Sequence, residues 1–146
     1  MQQYCHIYFD DNNFLVRGFE KTHDGLGLMT ADLDELPRDV ESAILGKCVL
    51  NVLTKFRVAD DKATKVEWEA HTKKLLTQFG VRSWRQLSRQ YRAMAIYREG
   101  HGVEVVPMRR ESKGKGHERD LSHMITCQDT EIEVGSAIFQ AMVFCK

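Results

Sequence analysis

Apolar residues recur along this 146-residue chain with two different periods. From Asp39 to Phe56 the run DVESAILGKCVLNVLTKF puts Ile44, Leu45, Cys48, Val49, Val52, Leu53 and Phe56 on one side of a helical wheel. Lys47, Asn51, Thr54 and Lys55 fall on the other. So wide an apolar arc predicts a helix lying in a groove of the core. The scheme returns near the C-terminus, where Leu45-Gly46-Lys47-Cys48-Val49-Leu50-Asn51-Val52-Leu53 can be set under Val134-Gly135-Ser136-Ala137-Ile138-Phe139-Gln140-Ala141-Met142 with only Lys47 and Ser136 unlike in character. Gly inside a helix costs roughly 1 kcal/mol relative to Ala. Two glycines at one register therefore predict a close backbone approach, expected against a sheet.

A third helical pattern carries Trp68, His71, Leu75, Leu76 and Phe79 on one face and stops at Gly80. Ser83 is placed to cap a further turn or two over Trp84-Arg85-Gln86-Leu87. Elsewhere the period is two. Tyr4 to Phe9 and Phe14 to Phe19 are strand-length runs joined by Asp10-Asp11-Asn12-Asn13, and Tyr91–Arg98 and Val103–Met108 alternate on either side of Glu99-Gly100-His101-Gly102. Both pairs read as hairpins. Leu28–Ala31 is a candidate short strand, and Pro107 places its own strand at an edge or an end. Asp32-Leu33-Asp34-Glu35-Leu36-Pro37 puts acids where a helix N-terminus favours them. Residues 109 to 120 read as a polar loop, His123–Cys127 as a last strand, and Thr130-Glu131-Ile132-Glu133 as a capping box before the final helix. The class is α+β, one domain over residues 1–146: a mainly antiparallel sheet packed against two similar Gly-containing helices, plus a further amphipathic helix.

Composition narrows the function more than the fold. Apolar content of 42% with 29% charged residues is that of a globular chain. No run is long enough to cross a bilayer, and MQQYCHIYFDDN has neither a basic lead nor an apolar signal core, so a cytoplasmic protein with no membrane partner is expected. Cys5, Cys48, Cys127 and Cys145 lack CxxC spacing, and the histidines supply no short repeated ligand spacing, so neither a disulfide framework nor a structural metal is expected. The formal net charge is zero but unevenly placed. Residues 1–46 carry nine acids against three bases, a net of −6, which the remaining hundred residues balance. Such asymmetry speaks to partners.

No constellation demands an enzyme. Cys5 and His6 are neighbours on a strand and point to opposite faces. Asp10-Asp11 and Asp60-Asp61 sit in turn sequences, where Asp serves the backbone. Lys113-Gly114-Lys115-Gly116-His117 lacks phosphate-loop spacing, so a solvated loop is the better reading. Trp84, Arg85, Arg89, Tyr91, Arg92, Tyr97 and Arg98 mix bases with rings as nucleic-acid binders do, without a module signature.

In four places the sequence resembles the CdiI immunity proteins of bacterial contact-dependent growth inhibition: Phe14-Leu15-Val16-Arg17-Gly18, the Leu45-Gly46 helix through Leu53, the Lys113-Gly114-Lys115-Gly116 loop, and Val134-Gly135-Ser136-Ala137-Ile138. The resemblance spans most of the chain. Its lead into the first helix, Asp32 to Pro37, is longer and more acidic than the usual form. The resemblance implies a cytoplasmic, cofactor-free inhibitor that binds the cognate CdiA C-terminal toxin domain, often a nuclease such as an RNase, and blocks it without chemistry of its own. A nuclease site is lined with cations, so an inhibitor presenting carboxylates there would gain steering and charge-assisted hydrogen bonds. Asp24, Asp32, Asp34, Glu35 and Asp39 are the candidate toxin-facing residues, with helix capping the competing role for Asp34, Glu35 and Asp39. No direct nucleic-acid contact is expected. The alternatives are a small RNA-binding protein using Arg85, Arg89, Arg92, Lys113 and Lys115, or a regulatory adaptor with a host partner.

Overall fold

The computed structural model describes residues 2–23, 25–59, 65–114 and 116–146. In chain order they form β1 (Gln3–Phe9), β2 (Asn13–Thr22), β3 (Gly27–Pro37), α1 (Ser42–Thr54), β4 (Arg57–Ala59), α2 (Lys65–Phe79), α3 (Trp84–Gln90), β5 (Arg92–Glu99), β6 (Gly102–Arg110), β7 (His117–Arg119), β8 (Ile125–Gln128) and α4 (Glu131–Ala141). Short 3-10 turns lie at Leu121–His123 and Met142–Phe144. The strands make one sheet in the order β3-β2-β1-β5-β6-β7, with β4 beside the end of β2 and β8 beside the first half of β6. Every pairing is antiparallel except β2 with β4. The α+β expectation and both hairpins hold. The Asp10 carboxylate accepts from the backbone N–H of Asn12 and Asn13 in the first turn, and Gly100 takes φ +61° in the second, where a side chain would be strained.

Strands apolar on both alternations need cover on both faces. Cys5, Ile7, Phe9, Phe14, Val16, Met94, Ile96, Val103 and Val105 lie beneath α1 and α4. Tyr8, Leu15, Ala93, Ala95, Val106 and Met108 turn the other way, with Phe79, Val81 and Leu87 from the α2–α3 segment closing over them. The result is three layers, and burying each large side chain contributes roughly 2 kcal/mol. Ser83 caps α3 through the Gln86 N–H as its sequence implies, and the Thr130 hydroxyl accepts from the Glu133 N–H at the start of α4.

Gly46 and Gly135 both sit inside helices, but each is shaped by the other helix, not by the sheet. A Cβ at Gly46 would lie 1.9 Å from the Glu131 carbonyl oxygen, and one at Gly135 would lie 1.8 Å from that of Ser42. The repeated glycine is therefore a helix-crossing device.

Other expectations are corrected. Asp32 to Pro37 is no lead into a helix; it continues β3, pairing with β2 from Asn13↔Pro37 to Arg17↔Leu33. Alpha-1 begins at Ser42, later than expected, and Ile44 is 48% exposed because the α1–α4 crossing takes the face beside it. Trp68 is also 41% exposed, since α2 buries mainly its C-terminal half through Leu75 and Phe79. Pro107 is interior to the sheet: it falls where the outer neighbour of β6 changes from β8 to β7, and its carbonyl accepts from the Asp120 N–H. A missing N–H is tolerated at that gap. Within the loop expected at 109–120, His117–Arg119 is strand β7, and His123 belongs to a 3-10 turn before β8. Asp60-Asp61 lies outside the described residues.

Candidate functional site

Strand β3 is terminal in the sheet order, and it carries three of the five candidate acids. Asp32, Asp34, Glu35 and Asp39 are all exposed; Asp24 lies outside the described residues. Pleating divides the strand's carboxylates between two faces. Asp34 pairs with Val16, and Asp32 lies beside Gly18 and Val52, so both flank α1. Glu35 pairs with Leu15 and leans toward the α2 side. Asp39 is in the turn that enters α1, after the Val40 N–H donates back to the Pro37 carbonyl. The structure thus brings Asp32 and Asp34 onto one side of the edge, sets Glu35 on the other, and places Asp39 past its end.

The competing helix-capping role does not apply. The residue before α1 is Glu41, which makes no side-chain capping bond, and the first turn holds no acid. Nor does any described cation form an ion pair with Asp32, Asp34, Glu35 or Asp39; the described ion pairs join Glu20–Arg57, Asp129–His101, Glu118–Arg109 and Asp120–His123. The local bonds are modest. The Thr30 hydroxyl donates to Asp32 at 3.4 Å, and Asp34 lies beside the Cys48 thiol. Burial first, and then that neighbouring carboxylate, push Cys48 up to about 12. Next to Asp32 opens a cleft of about 500 Å³ lined by Glu20, Met29, Thr30, Ala31, Lys55, Arg57 and His71.

The basic residues gather elsewhere. Arg85 and Arg89 on α3, Arg92 at the head of β5, and Lys113 are exposed, while Lys115 lies outside the described residues. Two of the three rings in that set are engaged, the Tyr91 hydroxyl donating to the Phe79 carbonyl and Tyr97 accepting from Arg119, while Trp84 is 37% exposed. One cluster imitates a catalytic triad. Ser122 and Asp120 both meet the same ring nitrogen of His123, at 3.2 and 2.6 Å, and Ser122 also donates to Asp120. A nucleophile and an orienting acid need opposite ring nitrogens, so this is a cap on the 3-10 turn. Its hydrogen bonds, from Ser122 first and His123 next, hold the Asp120 carboxyl down at about 2. Among the described residues no group of three or more His, Cys, Asp or Glu is placed to hold a metal ion, and no helix is long and apolar enough to cross a membrane.

Arg17 stands in the sequence only as part of the family-like Phe14–Gly18 run, with no role of its own. In FLVRGF it sits among apolar residues at both alternations, and it is 0% exposed beneath α2. A lone cation in a strand buried on both faces was the available signal.

No curated protein sequence matches the chain. Among the solved structures that share the fold are two, each with a TM-score of 0.79 over the whole of this chain. One is a Neisseria meningitidis protein of unknown function, 14% identical, with 96% of its length covered. The other, 16% identical with 98% covered, is from a CdiA-CT/CdiI toxin and immunity complex of Yersinia pseudotuberculosis. Residues 3–145 match the family described as CdiI, CDI immunity protein, whose members are inhibitors and not enzymes. Matched over nearly its full length, the chain belongs to the CdiI family of CDI immunity proteins.

Proposed function

We propose that this chain binds the C-terminal toxin domain of its cognate contact-dependent growth inhibition effector in the cytoplasm, that the toxin is a nuclease, and that the β3 edge occludes its basic active site. Family membership and the fold shared with a protein of a toxin–immunity complex support an inhibitor with a protein partner. One observation carries the choice of surface: Asp32, Asp34 and Glu35 line a terminal strand, exposed and in none of the described ion pairs. Uncompensated carboxylates destabilise a folded chain by mutual repulsion and are retained where a cationic partner completes them. Carboxylates on both sides of an edge also suit insertion into a cleft with cations on both walls.

The test mixes the purified toxin domain encoded beside this gene with RNA and DNA substrates. One equivalent of this chain is expected to abolish cleavage and to form a stable complex. A toxin that cleaves neither polymer would remove the nuclease reading, and a complex that leaves cleavage intact would remove occlusion.

A further inference from the structure

Beneath α2 the sheet is concave. Tyr8 on β1 and His117 on β7 bring their rings within 5.9 Å although β5 and β6 lie between them. The curl is possible because, beside Tyr8 and His6, β5 offers the small Ala93 and Ala95 on that face, with Tyr97 further along at the rim. Into the hollow also turn His6, 3.4 Å from the Tyr8 hydroxyl, and Arg17, the cross-strand partner of His6. Arg119 reaches over the Tyr97 ring at the rim.

These groups are short of anions. The Arg17 Nη1 donates to the Thr30 carbonyl at 3.1 Å and to Gln78 at 2.5 Å. Its Nε and Nη2 are buried without a hydrogen-bond partner among the described residues. No described carboxylate bonds His6, Arg17, His117 or Arg119: the polar partners are Tyr8, Thr30 with Gln78, the Tyr91 carbonyl and the Tyr97 hydroxyl. Asp32 acts on Arg17 only at a distance. Burial drives the folded Arg17 down to about 10 and His6 down to about 4, the latter helped by His117 and Arg119. A buried guanidinium normally has its fork filled.

We infer that this hollow is an oxyanion subsite in which Arg17 supplies the buried fork and Arg119 the exposed entrance. Carboxylate and phosphate share the required chemistry, two oxygens in one plane facing Nε and Nη2. The source is either an acidic side chain of the bound toxin, which rests on the function proposed above, or a free phosphate, which does not. Entry passes over half-buried His6 and Tyr97 and requires the C-terminal half of α2 to yield, because Phe79 covers the guanidinium at 4.6 Å.

The test uses the full chain as wild type, Arg17→Lys, which keeps the charge but loses the fork, and Arg119→Gln, an exposed change that spares the fold. Inorganic phosphate is titrated by calorimetry and thermal shift, and toxin affinity is measured in parallel. If phosphate is the ligand, its affinity drops at least ten-fold in both variants while toxin binding is unchanged. If a toxin carboxylate is the ligand, toxin affinity drops at least ten-fold in Arg17→Lys and less in Arg119→Gln. Wild-type affinities retained by Arg17→Lys for both probes would overturn the inference, as would losses confined to Arg119→Gln. Wild-type protein that fails to bind toxin would count against the proposed function alone, since the phosphate arm still decides the subsite.

Discussion

At the residue scale, His6 shows how position outweighs side-chain type. As part of YCHIYF it looks like a strand filler, yet it packs against Tyr8 and Phe19 on a face shared with Arg17 and Arg119. Burial chiefly, and then the charges of His117 and Arg119, lower its folded value from 6.5 to about 4. The unfolded chain then takes up a proton as pH falls through 6.5 while the folded chain does not, so this residue's share of stability is complete above 6.5 and drains away down to about pH 4. Urea unfolding from pH 7 to 4 should show that decline in the wild type and a flatter profile in His6→Gln. Equal slopes would mean that His6 titrates normally in the folded state. None of this is visible in the sequence, because the hollow depends on Ala93 and Ala95 nearly ninety residues downstream.

At the element scale, the two helices that stand out in the sequence do pack as a pair, and their glycines set the distance between them. A methyl group at either position would have to displace backbone atoms rather than a mobile side chain. Gly46→Ala and Gly135→Ala should each destabilise by about 3 kcal/mol, read as a lower urea midpoint with an unchanged m-value. A loss below about 1 kcal/mol would show that the helices separate easily. Periodicity revealed these helices, the hairpins and the caps at Ser83 and Thr130 because each signal is local. It failed at Asp32 to Pro37, where acids followed by a proline imitate a helix start. Only pairing with β2, up to twenty-four residues earlier, reveals the strand. The same limit hid β7, whose partner lies in β6, and misplaced Pro107, whose tolerance depends on β7 and β8 meeting there.

At the scale of the whole molecule, zero net charge conceals a polar body. Residues 1–46, at −6, supply the β3 edge, whereas residues 81–119 hold ten bases against four acids and build α3, β5, β6 and β7 toward the opposite side of the sheet. A partner approaching in solution meets a direction, not a neutral sphere, and the effect should fade with salt. The imbalance could be counted in the sequence. That three carboxylates would share one exposed edge could not, because it follows from the sheet order.

The decisive measurement is the stopped-flow association rate of the cognate toxin domain with wild-type protein and with Asp32→Lys/Asp34→Lys/Glu35→Lys, across a range of ionic strength. If the β3 edge receives the toxin, the wild-type rate falls steeply with salt, and the triple reversal is at least about ten-fold slower at low salt. Equal rates and equal salt slopes, with both proteins shown to be folded by circular dichroism, would place the toxin elsewhere.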